Sequence, residues 1–197
     1  FFSIFFLFYL IFYSKNFKHI IFAIFLNFTL AAPALFYLFF LDVFFISSGV
    51  GGNQLDFDYL SKLPVILSII IFHAIPILYY KNFFIENFSF RKNYTTLIFT
   101  ITISLILILN FKYNINFSGG GFFLHLSNFL FDSDYLFLTL IIFFVFISLN
   151  LIILNLKSNL LIFLILILMV PQFSIYHKYY DPLLIILFFT IFDIGIE

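Results

Sequence analysis

The most informative stretch of the chain is Pro171-Gln172-Phe173-Ser174-Ile175-Tyr176-His177-Lys178-Tyr179-Tyr180-Asp181-Pro182-Leu183, which sets two basic side chains, three phenols and a carboxylate between apolar runs. An ammonium group acts on a phosphate as a point charge, and phenols add hydrogen bonds. His177, Lys178, Tyr179, Tyr180 and Asp181 are therefore expected to bind a phosphate at the level of lipid headgroups. The same residues also suit an aromatic belt with a snorkelling lysine, and the sequence leaves both readings open. A second ionisable group, His73, stands within the apolar segment Ile71-Phe72-His73-Ala74-Ile75-Pro76. Such a residue marks a functional site by default. A neutral imidazole can equally bond a neighbouring helix or a carbonyl that Pro76 frees in the preceding turn, and this structural role is the one expected. His19, His125 and His177 fall in other segments without ligand spacing, so neither a metal nor a cofactor is expected. Ser118-Gly119-Gly120-Gly121 lacks the Lys-Ser/Thr of a phosphate-binding loop. It is expected to form a flexible turn that lays Phe122–Phe131 in the membrane interface as a short helix.

The elements that must position these groups follow from composition. Of 197 residues, 64% are hydrophobic and 9% charged, against about 45–50% and 25% in soluble domains. That balance reads as an integral membrane protein and excludes a soluble fold. Nine basic and nine acidic residues cancel, leaving no electrostatic surplus for nucleic acid. The absence of cysteine excludes disulfides, thiolate metal sites and a cysteine nucleophile. Phe accounts for 37 residues while Trp is absent, a bias that AT-rich codons would produce. The sequence starts at Phe1 inside an apolar run, without an initiator Met or a signal-peptide pattern. It therefore reads as a fragment lacking its N-terminus, with residues 1–197 as a single transmembrane domain.

A helical span needs about 20 mostly apolar residues. Candidates run over Phe1–Tyr13, Ile20–Phe40 broken by Pro33, Leu63–Tyr80 broken by Pro76, Tyr94–Asn110, Tyr135–Leu156, Asn159–Val170 and Pro182–Ile194. The runs are continuously apolar rather than alternating, which favours helices over a barrel. The expected fold is all-α, a polytopic transmembrane bundle of six or seven helices. Nine tyrosines, including Tyr13, Tyr79, Tyr80, Tyr94 and Tyr135, mark span ends at the headgroup level. The odd loops carry Lys15, Lys18, Lys81, Arg91, Lys92 and Lys157, and the even loops only Lys62, Lys112 and Lys178. Basic residues are retained in the cytoplasm, so the odd loops are assigned there. The even loops are longer and hold Asp42, Asp56, Asp58, Asp132, Asp134 and Asp181, against Glu86 alone in the odd loops. Any chemical face is thus expected to be extracytoplasmic.

The run Tyr176-His177-Lys178-Tyr179-Tyr180-Asp181-Pro182-Leu183 resembles the basic-Tyr-Tyr-x-x-Pro segment near the C-terminus of the dolichyl-phosphate-glucose-dependent alpha-1,2-glucosyltransferases. It is similar more loosely to other membrane glycosyltransferases of the C superfamily. The family usually has arginine where Lys178 stands, and its proline comes one residue later than Pro182. The resemblance implies sugar transfer from a polyprenyl-phosphate donor on the extracytoplasmic face, in the plasma membrane of a bacterium or the endoplasmic reticulum of a eukaryote. It places the acidic catalytic motif upstream of Phe1, so no catalytic residue is assigned; Lys178 with His177 would stabilise charge on the leaving phosphate. Asp56 and Asp58 are poor substitutes for the base of that motif and are expected at most to line the cleft. The alternative class is a membrane transporter or lipid-linked-oligosaccharide flippase, which should show internal repeats and broken helices. A proton-pumping subunit would need several ionisable groups at mid-membrane depth, and only His73 stands there. The expected partners are membrane lipids and a polyprenyl-phosphate-linked sugar.

Overall fold

A computed structural model describes residues 10, 12, 16–40, 56–80, 94–113, 119–170, 172 and 174–190. The described residues form seven helices: α1 (Phe17–Phe40), α2 (Tyr59–Tyr80), α3 (Tyr94–Asn110), α4 (Gly121–Phe131), α5 (Tyr135–Leu154), α6 (Leu156–Leu168) and α7 (His177–Thr190). Among the described residues the all-α expectation holds, and α3 has the predicted limits. Only α2 and α5, among the described residues, are long and apolar enough to cross a membrane; α3, α4 and α6 are shorter apolar helices. Apart from Leu10 and Phe12, the expected first span lies outside the described residues, as do Lys15, Asp42, Lys81, Glu86, Arg91 and Lys92.

Helices α1, α2, α6 and α7 begin earlier than the apolar pattern predicts, and in α2 and α6 a polar cap explains the shift. Asp58 Oδ1 accepts the Ser61 backbone N–H at 3.3 Å, so α2 starts at Tyr59 and takes Lys62 and Pro64 inside the helix. Asn155 Oδ1 accepts from the Ser158 backbone N–H at 3.2 Å and starts α6 at Leu156. Helix α7 starts at His177 rather than at Pro182, which becomes an interior residue. The ring of Pro182 removes the N–H that an uninterrupted helix would give to the Lys178 carbonyl.

Helix α2 is the centre of the molecule and packs against α3, α4, α5, α6 and α7. Its residues Val65, Ile66, Ile69, Ile70, Ile71, Ala74 and Leu78 are buried in one apolar cluster with Phe137, Ile141 and Phe144 of α5. Helix α3 buries Thr96, Thr100, Ser104 and Leu107. These lie four, four and three residues apart, so they form one face of small side chains that lets helix backbones approach closely. Helix α4 is the short helix expected over Phe122–Phe131, and it packs on α2 and α5 with Leu124 and Ser127 fully buried. Ser127 Oγ donates to the Ser133 carbonyl at 2.7 Å and accepts the Phe137 N–H at 3.1 Å, which ties α4 to the start of α5.

Candidate functional site

Three connections, those before α2, between α3 and α4, and before α7, meet at one place. The Lys62 ammonium, 1% exposed, donates to the carbonyl of Asp56 and to that of Gln172 at 3.3 Å, and its Nζ lies 3.6 Å from Asp56 Oδ2. This buried clamp holds the approach to α7 against the start of α2. A further step along, both backbone groups of Ile175 are engaged: its N–H donates to the Tyr113 hydroxyl at 3.1 Å, and its carbonyl accepts the Gly120 N–H at 2.9 Å. Burial pushes the Tyr113 phenol up, opposed by its bond to Ile175. Gly119, Gly120 and Gly121 all have positive φ. A Cβ on Gly119 would stand 2.7 Å from the Ile175 carbonyl oxygen, so the glycines serve close packing of two backbones rather than flexibility.

The strands of chain fixed in this way bound a cavity of about 620 Å³ lined by residues of α2, α4 and α7 and of the segments before α4 and α7. His73 projects into it from α2, eleven residues and about 16 Å along the helix from Lys62. The start of α7 thus meets α2 at the level of His73. His73 Nδ1 lies 2.8 Å from the Ile69 carbonyl, which can only accept, so the bond is an Nδ1–H donation. The carbonyl used is that of Ile69 and not the one Pro76 leaves unbonded. His73 Nε2 lies 2.9 Å from Asp181 Oδ1, within ion-pair distance. The second histidine, His177, accepts the Phe122 N–H at its Nε2 at 2.9 Å. Its ring lies 5.6 Å from that of His73 and 5.4 Å from that of Phe72.

Of the five residues expected to bind substrate, His177, Lys178 and Asp181 line this cavity. Lys178 is exposed, with Nζ 4.9 Å above the Tyr176 ring. Tyr180 is 0% exposed and lies in the core rather than on the cavity wall, because it occupies the inward face of α7 together with Leu184 and Leu187. The side chain of Tyr179 lies outside those described. Asp56 faces Lys62 instead of the cavity. His125 joins the wall, its Nε2–H donating to the Gly119 carbonyl at 2.6 Å.

No family model, characterised protein or solved structure matches the chain. The chemistry must be read from the cavity itself. His73, His177 and Asp181 each present a donor atom within 4.8 Å of the others, so the expectation that the histidines are unrelated fails for this pair. The His177–Asp181 half was accessible in principle, since residues four apart share a helix face. No local signal points from either of them to His73.

Proposed function

We propose that the chain is a multi-pass membrane protein that binds the phosphate of a polyprenyl-linked sugar in this cavity and transfers the sugar on the extracytoplasmic side. The observation that carries the reading is the cavity wall, where Lys178, His177 and Asp181 stand beside the exposed rings of Phe72 and Phe122. Polar groups for a phosphate and sugar adjoin apolar surface for a prenyl chain. The membrane setting is supported by the outward faces: Phe17, Phe22, Phe25, Phe28, Phe36 and Phe40 of α1 are all exposed, more apolar surface than water tolerates on a monomer. In transfer, the bond from the sugar to the donor phosphate breaks, a bond to the acceptor hydroxyl oxygen forms as that hydroxyl gives its proton to a carboxylate base, and Lys178 stabilises the charge left on phosphate.

The test uses the complete protein in membranes with a short-chain polyprenyl phosphate as binding probe and its labelled glycosyl form as substrate. Lys178→Ala should weaken binding of the phosphate by about tenfold and slow transfer by roughly 10²–10³. Lys178→Arg should recover much of both, because guanidinium also binds phosphate. Lys157→Ala, exposed in the first turn of α6, should change neither. Equal, mild effects of the Lys178 and Lys157 changes would leave Lys178 as a snorkelling residue and remove the transferase reading.

A further inference from the structure

We infer that His73, His177 and Asp181 form a binding site for a zinc-type divalent transition metal. The three donor atoms lie within 4.8 Å of one another. His73 Nε2 and Asp181 Oδ1 are already 2.9 Å apart. Donors about 2.0–2.2 Å from a four-coordinate zinc stand a little over 3 Å apart, so this pair needs only a slight opening. The Nδ1–H of His73 is given to the Ile69 carbonyl, which leaves Nε2 as the nitrogen that faces the cavity. A backbone carbonyl in that role fixes the tautomer of many metal-binding histidines. His177 and Asp181 are four residues apart on α7, and His73 comes from the facing helix α2, so two packed helices supply the set.

Two imidazoles and one carboxylate suit zinc, cobalt or nickel rather than magnesium or calcium, which prefer oxygen. With three protein ligands and an open cavity beside them, the fourth position is left for water or an oxygen of a bound anion. Loading has a structural consequence. His177 Nε2 now accepts the Phe122 N–H, which leaves the proton of the neutral ring on Nδ1, so neither nitrogen can take the ion until that bond is given up. The ion exchanges the α7–α4 bond for an α7–α2 bridge.

The inference goes beyond the sugar-phosphate reading and is tested without lipid or sugar. The full chain, purified in detergent through a tag free of histidine, is titrated with Zn2+ alone and, for spectroscopy, with Co2+ alone. One equivalent should bind, and Co2+ should show the visible absorption of a four-coordinate ion with nitrogen and oxygen donors. His73→Ala, His177→Ala and Asp181→Asn should each weaken Zn2+ binding by roughly 100-fold or more, as loss of a direct ligand exceeds the 10–100-fold cost of losing a group behind one. His125→Ala, on the same wall but outside the set, should stay within about threefold. Asp181→Asn keeps the side-chain shape, so it reports on the ligand even where an alanine change prevents folding. Helical wild-type protein that binds neither ion overturns the site, as does Zn2+ binding that Asp181→Asn leaves unchanged. Either result leaves the phosphate reading standing.

Discussion

Lys62 and Lys178 are both lysines near helix starts, yet their surroundings assign them opposite work. Lys178 is exposed over the Tyr176 ring and lines the cavity, where the proposed function sets it against a phosphate. Lys62 is 1% exposed and committed to Asp56 and Gln172. Burying an ammonium is costly unless paired, and removing one partner is worse than removing both. Asp56→Ala is therefore expected to cost about 3 kcal/mol or more, read as loss of resistance to unfolding in detergent. Asp56→Ala combined with Lys62→Met, which removes the charge and keeps the stem, should regain much of that loss. If the two variants are equally unstable, Lys62 is held by its packing and not by the carboxylate.

At the scale of elements, local chemistry explains both what was predictable and what was displaced. Continuous apolar stretches identify α2, α3, α5 and α6, since helical hydrogen bonds close within four residues and need no distant partner. The boundaries moved where a polar residue satisfied a free helix end, as with Asp58 before α2 and Asn155 before α6. The packing face of α3 was not visible as hydrophobicity, because it consists of Thr96, Thr100 and Ser104. Small residues act there by letting α3 approach its neighbours. Thr100→Leu should overpack this face and destabilise the protein by about 1–3 kcal/mol. Thr102→Leu, exposed on the other side of the same helix, should be near neutral. Comparable losses from both substitutions in a thermal or detergent unfolding series would remove the packing role of that face.

For the whole molecule, the even-numbered connections are brought to one site: Asp56 and Lys62, Tyr113 and Gly120, Gln172 and Ile175 are linked to one another through hydrogen bonds. The chain has no cysteine, so single cysteines report orientation cleanly. Placed at Lys112 or Asp132, both exposed, a thiol should react with an impermeant reagent in intact cells, and at Lys157 it should be shielded. The reverse pattern would overturn the orientation and the extracytoplasmic site with it. The sequence by itself determined that the chain is helical and apolar, and that His177, Lys178 and Asp181 stand together. Composition and spacing over a few residues suffice for those properties. That Asp181 meets His73, that His177 turns to Phe122 N–H, and that Tyr180 faces the core were decided only by tertiary structure. These depend on how α7 docks on α2 and α4, and docking is set by contacts between distant residues. Lys62 reaching Gln172 and a glycine turn fitting against Ile175 are such contacts. A local pattern specifies which groups a helix presents, whereas only the packing of one helix on another specifies what each group meets.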